Sequence, residues 1–251
     1  MALQEVHREK DEWGELSVVD DGAYRYLCFA EGDEQSCQLK AQPQILQHEY
    51  TQAMCLALLI SVPKNVVILG LGGGCLVSAI HHCLPGVKIR AVELRPQVVD
   101  VAYRHFRLPR SKRLQIIIDD AIDFIARDEV KKTDILFADL YTGDGVDNRQ
   151  TEQAFIRRCH SLLKSEGVLV LNCWREHRYE YAIQEVLTAL FVEVWVCVTG
   201  SGNWVIIASR RPSAASNKQL KQRAQQLSQQ LGFNLTAMLA RMQPLSAAVE
   251  E

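Results

Sequence analysis

The chain has 251 residues, 48% of them hydrophobic and 23% charged, enough to bury a sizeable core in one large domain or in one domain with a small appendage. A formal net charge of −2 argues against nucleic acid or an anionic membrane as the main partner. The eight cysteines are scattered, with no CxxC pair, so no zinc or other metal site is expected. The opening MALQEVHREKDEW is charged and lacks the apolar core of a secretory signal, and no apolar run reaches membrane-spanning length. The expectation is a cytoplasmic protein with reduced thiols.

In chain order, Glu15–Val19 and Ala23–Phe29 flank Asp20-Asp21-Gly22, and Asp-Gly between alternating runs predicts a β-hairpin. A helix is predicted from about Ile45 to Ile60. From Asn65 onward short apolar runs alternate with helical stretches. The runs are Val66–Leu69, Ile89–Val92, Leu114–Ile118, Ile135–Ala138 and Val168–Leu171; the helices are Cys75–His82, Pro96–Phe106, Ala121–Arg127 and Glu152–Leu163. This alternation predicts an α/β fold with a parallel sheet covered on both faces. Val192–Val198 and Trp204–Ser209 are separated by a gap too short for a crossover helix, so they must pair antiparallel. A parallel sheet that ends in an antiparallel hairpin is the mark of a Rossmann-like methyltransferase fold. After Pro212 the chain turns rich in Gln, Lys and Leu, which predicts an amphipathic helical tail packed on the domain or on a partner subunit. Three segments follow: a β-hairpin domain at 1–44, a Rossmann-like domain at 45–212 and a helical tail at 213–251.

Four motifs carry chemistry. The first is the loop Gly70-Leu71-Gly72-Gly73-Gly74, which joins the first parallel strand to a helix, as a nucleotide-type ligand requires. It is not a full dinucleotide fingerprint, since Cys75 stands where GxGxxG needs Gly. The second is Glu93, about 20 residues further on at the next strand end, where an acid can accept hydrogen bonds from ribose hydroxyls or simply be solvated. The third is Asp119-Asp120-Ala121. Asp120 is the choice for an adenine amino group, although an Asp here also suits a helix N-cap. The fourth is Asp139, which ends the fourth strand at the sheet edge where α/β proteins bind ligands. It can take a proton from a nucleophile or be purely structural. The loop beyond it, residues 142–147, is a candidate cover for the substrate.

Glycine loop, Val-Glu, Asp-Asp-Ala and Ala-Asp-Leu-Tyr stand in the order and spacing of the spermidine synthase (aminopropyltransferase) family, which the chain resembles from about Glu15 to Ser209. Gln47-His48-Glu49-Tyr50 resembles the stretch that precedes the family's glycine loop. The resemblance implies a small β-domain on a Rossmann-like core, a homodimer, and transfer of an aminopropyl group from decarboxylated S-adenosylmethionine to a diamine. It implies Asp139 as the catalytic residue. Gly70, Gly72, Gly73, Gly74, Glu93, Asp120 and Ala121 would bind the donor, and Gln47, His48, Glu49, Tyr141 and Asp144 the amine. Two departures stand out. Gly73 occupies the place of the family's glycine-loop Asp, which faces the amine of the aminopropyl group, and Thr142 replaces the second Asp of its Asp-Ser-Ser-Asp. Both remove negative charge, and the first also removes a charge that would repel the carboxylate of intact S-adenosylmethionine. The leading reading is therefore an aminopropyltransferase-like enzyme using either donor. The alternatives are a methyltransferase using intact S-adenosylmethionine and a catalytically silent ligand-binding homologue.

Overall fold

The computed structural model describes residues 3–30, 33–142 and 145–245. Strands β1 (Gln4–Asp11), β2 (Gly14–Asp21), β3 (Tyr24–Ala30) and β4 (Asp33–Leu39) form an antiparallel meander in the order β1-β2-β3-β4. The predicted hairpin is its centre, β2 paired with β3. It is flanked by two strands that the sequence reading did not include.

The helical segment before the glycine loop is broken rather than continuous. α1 (Glu49–Met54) and α2 (Ala57–Ile60) are separated at Cys55-Leu56, and both pieces are buried on the core. The core then runs β5 (Asn65–Leu69), α3 (Cys75–Cys83), β6 (Lys88–Glu93), α4 (Pro96–His105), β7 (Leu114–Ile118), α5 (Ala121–Ala126) and β8 (Thr133–Ala138). A two-residue ribbon of β9 (Tyr141–Thr142) and β10 (Gly145–Val146) follows, then α6 (Gln153–Leu162), β11 (Leu163–Trp174), α7 (Tyr181–Leu190), β12 (Glu193–Val198), β13 (Asn203–Ser209), α8 (Asn217–Leu231), α9 (Leu235–Leu239) and β14 (Met242–Pro244).

The large sheet has the order β14-β12-β13-β11-β8-β5-β6-β7. β5, β6, β7, β8 and β11 run parallel, whereas β13 pairs antiparallel with both β11 and β12. The chain thus reverses direction around β5, with β6 on one side and β8 on the other. That is the switch point at which open α/β sheets leave a crevice beyond their carboxyl ends. The interior strands read as unbroken apolar runs because both faces are covered.

The tail is not only helical. α8 is closed by a Ser216–Gln219 capping box and by Gly232 at its C-terminus, and Ala224, Leu231, Leu235 and Met238 bury against the core. β14 then adds to the edge of β12, so the tail completes the sheet. Among the described residues no helix is long and apolar enough to cross a membrane.

The N-terminal sheet is fastened over the glycine loop. Leu16, Val18 and Leu27 share a buried cluster with Val98, Val101 and Phe106 of the α4 region. Arg95, just before α4, forms a two-point ion pair with Asp11 at 2.9 Å, with both side chains nearly fully buried. Its guanidinium also lies 4.6 Å from the ring centroid of Phe29. Gln38 donates to the Phe106 carbonyl at 2.6 Å, and Arg25 to that of His105 at 2.8 Å.

Candidate active site

Three of the parallel strands, β5, β7 and β8, make one further hydrogen bond past their ends, and these bonds align the candidate residues along one edge. Gly70 N–H donates to Val92 O, Asp139 N–H to Leu69 O, and Asp119 N–H to Glu93 O, each at 2.9 Å. Gly70 has φ +90°, and a Cβ there would lie 2.1 Å from the Asp139 carbonyl oxygen. Only glycine lets the two strand ends approach this closely.

A cavity of about 350 Å³ opens above this edge, a volume that suits a nucleoside-sized ligand. Its wall brings together Gly70, Gly72, Glu93, Asp119, Asp120, Ala121, His48, Asp139 and Tyr141 of the residues singled out from sequence, and β4 supplies Gln35 and Ser36. Gly73 and Gly74 stand behind it. The Gly73 N–H donates to Ser36 Oγ at 2.8 Å, and Gly74 caps α3 in the left-handed region. A Cβ on Gly73 would meet the buried Phe106 ring at 2.8 Å, so the position expected to face the donor's amine points into the packing under the N-terminal sheet. Gln47 and Glu49 are engaged elsewhere. Gln47 Nε2 donates to the Ile45 carbonyl. The Glu49 carboxylate accepts from Gly200 N–H at 2.6 Å and pairs with Arg241, tying α1 to the β12–β13 turn and the tail. Asp144 lies outside the described residues.

Glu93 is buried, which pushes its carboxyl above the usual range against the pull of backbone donors. It accepts from Leu71 N–H and Arg95 N–H, both at 3.0 Å. It therefore organises the glycine loop as well as facing the cavity. Asp120 caps α5 by accepting from Ile122 N–H at 2.7 Å, and it lines the cavity too, so the N-cap role leaves it facing the site. Asp119 pairs with Arg127.

Asp139 sits in the densest polar network. Burial pushes its carboxyl up to about 6, while hydrogen bonds from Asn172 and Tyr50 act in the opposite direction. Asn172 Nδ2 donates to Asp139 Oδ1 at 2.8 Å and to the Tyr141 hydroxyl at 3.2 Å. Asn203 Nδ2 donates to the same hydroxyl at 3.2 Å and to Asn172 Oδ1 at 3.1 Å. Burial raises both phenols, Tyr50 and Tyr141, so they stay neutral and can donate. The result is a carboxylate of fixed orientation that can gain or lose a proton near neutral pH.

Sequence reasoning gave no role to Tyr50, Asn172, Asn203 or Gln150. Asn172 carried a usable signal, a lone amide inside the apolar run Val168–Cys173. Gln150 is fully buried and donates to the carbonyls of Leu140 (3.2 Å) and Asn172 (3.1 Å), fixing the segment beyond Asp139 against β11.

Sheet order, glycine turn and strand-end acids together define a Rossmann-like domain of the methyltransferase type with a nucleoside-sized site. Comparison with known proteins narrows this. The model of the spermine/spermidine synthase domain matches residues 47–209, and the chain belongs to that family. It is 30% identical over 237 residues to the polyamine aminopropyltransferase of Neisseria meningitidis serogroup A, covering 92% of this chain and 90% of that one. The structure superposes on a probable spermidine synthase from Corynebacterium glutamicum with a TM-score of 0.75 at 19% identity, over 95% of this chain and 89% of that one. It also superposes on human methyltransferase-like protein 13 in complex with SAH, with a TM-score of 0.64 at 25% identity, over 74% of this chain and 93% of that one.

Proposed function

We propose that this protein transfers an alkyl group from an adenosyl sulfonium donor to an amine, with the aminopropyl group of decarboxylated S-adenosylmethionine as the group moved and a diamine or polyamine as acceptor. The observation that carries this reading is the convergence of Glu93, Asp120 and Asp139 on one cavity at the switch point of the sheet. Family membership supports the choice of reaction. Glu93 would accept from the ribose hydroxyls, Asp120 from the adenine amino group, and the backbone of Gly70 and Gly72 would lie against the donor. The acids on the wall, Asp33 and Glu34 among them, favour a cationic acceptor.

In this reading Asp139 takes the proton of the attacking nitrogen. The nitrogen lone pair forms the new N–C bond, the C–S bond breaks, and its electrons leave with sulfur as neutral methylthioadenosine. Asn172 and Tyr50 hold the carboxylate in place, so the protein contributes alignment and proton removal.

A second reading, methyl transfer from intact S-adenosylmethionine, is favoured by one feature: no acid stands at Gly73, and Phe106 fills the space its side chain would use. Product analysis separates the two, since aminopropyl transfer releases methylthioadenosine and methyl transfer releases S-adenosylhomocysteine. The family resemblance also carries the expectation of a homodimer, and the scattered cysteines that of a cytoplasmic protein; light scattering on the purified chain checks the first.

A further inference from the structure

We propose that Arg149 is a second base-reading residue, which pairs with Asp120 to recognise the adenine edge of the donor. This rests on the reading in which Asp120 accepts from the adenine amino group. Arg149 lies in the 3-10 turn Asn148–Thr151 between β10 and α6, and it lines the cavity together with Asp120 and Asp147. Its Nη1 donates to Asp120 Oδ2 at 3.0 Å. Its Nε and Nη2 grip the Asp147 carboxylate at 3.0 and 2.6 Å. Asp147 is itself fixed, because it caps the turn by accepting from Arg149 N–H at 3.0 Å. The next residue is the buried Gln150, anchored to the carbonyls of Leu140 and Asn172. The guanidinium is thus held at the cavity wall by two carboxylates, Asp120 and Asp147, with its side chain about half exposed.

The chemistry of the pair matches one kind of base edge. Among the described residues these bonds engage three of the five guanidinium N–H groups, leaving one on each terminal nitrogen. Asp120 presents an acceptor and Arg149 Nη1, 3.0 Å away, presents a donor. A 6-aminopurine carries the complement, an amino donor beside a ring-nitrogen acceptor. A 6-oxopurine presents an acceptor where Asp120 offers only acceptors, and is rejected. Arg149 therefore reads the ring nitrogen next to the amino group that Asp120 reads.

Calorimetry with 5′-methylthioadenosine and its 7-deaza and 1-deaza analogues tests this on the wild type, Arg149→Gln and Arg149→Lys. One analogue, the one lacking the nitrogen that Arg149 contacts, is expected to bind the wild type about tenfold more weakly than the parent nucleoside. Arg149→Gln should bind the parent about tenfold more weakly and should no longer discriminate against that analogue. Arg149→Lys, which retains a charged donor, should keep part of the discrimination. Equal binding of all three nucleosides by the wild type overturns the proposal, as does a folded Arg149→Gln variant that keeps the wild-type preference. If the wild type binds no methylthioadenosine, or a folded Asp120→Ala variant binds it as tightly as the wild type, the parent reading fails and takes this one with it.

Discussion

Replacing Asp139 with Asn should make the protein more stable at alkaline pH while it stops working. Burial raises the Asp139 carboxyl from an ordinary 3.8 to about 6. A carboxyl raised in the folded state is favoured there in its protonated form. Its contribution is fully present below about pH 4 and is lost as the pH climbs through about 6. Above that, the ionised group costs the fold about two pKa units, an upper bound of about 3 kcal/mol at roughly 1.4 kcal/mol per unit. Asn keeps the shape and can still accept from Asn172, while the Tyr50 hydroxyl turns to accept from the new amide. Asp139→Asn should therefore gain on the order of 1–3 kcal/mol at pH 8, and the gain should shrink towards zero at pH 4. Urea unfolding of both proteins at the two pH values measures this. Loss of the proton acceptor should lower turnover by about 10²–10⁴-fold, and wild-type kcat/KM should rise with pH through about 6. A stability difference that is the same at pH 4 and pH 8 would show that Asp139 is not strained by burial, and a variant with near-normal turnover would show that it is not the base.

Glu93→Ala should weaken methylthioadenosine binding by about 1.5–3 kcal/mol, read by calorimetry. It should also lower the unfolding temperature, because Leu71 N–H and Arg95 N–H lose their acceptor; unchanged affinity would remove Glu93 from the ribose site. Asp11→Ala leaves the Arg95 guanidinium buried without its partner carboxylate, and should cost about 3–5 kcal/mol in urea unfolding. A loss below about 1 kcal/mol would mean that the N-terminal sheet is held by its apolar contacts instead. Gly73→Asp should lose about 1–3 kcal/mol to the collision with Phe106, and less in a Phe106→Leu background; equal losses in the two backgrounds would place the side chain elsewhere. In the wild type, with no acid at Gly73, decarboxylated and intact S-adenosylmethionine should bind within about tenfold of each other. A hundredfold preference for the decarboxylated form would show that another wall acid does this work.

The inner parallel strands were legible because they are buried on both faces and read as apolar runs, and the runs of β5, β6 and β8 stop at Gly70, Glu93 and Asp139, as that of the more exposed edge strand β7 stops at Asp119. Those stops sit on the sheet edge, so Gly70, Glu93, Asp120 and Asp139 could be placed with them. The outer strands were not legible. β1 reads Gln-Glu-Val-His-Arg-Glu-Lys-Asp, mostly exposed, with no apolar face to betray it. β14 is three residues long and owes its strand state to pairing with β12. β11 begins with Leu163 and the polar Lys164-Ser165-Glu166 before its apolar run, and α7 was passed over between two strands. In the site, residues that act through tertiary contacts left little trace. Gln150 looks like any loop glutamine until its burial is known, and Glu49 looks like a site acid until Arg241 is found beside it, 192 positions along the chain. Gly73 carries a constraint that the family pattern does not show: besides the missing charge, the Phe106 ring packs where its Cβ would stand.

The central claim is that the site binds an adenosyl sulfonium donor and moves its alkyl group to an amine. The purified protein, incubated with a diamine and in turn with decarboxylated and intact S-adenosylmethionine, should release methylthioadenosine from the first, in step with appearance of the aminopropylated amine by mass spectrometry. The release should be lost in Asp139→Asn. Release of S-adenosylhomocysteine from the intact donor alone would turn the account to methyl transfer, and no product from either donor together with no methylthioadenosine binding would contradict it.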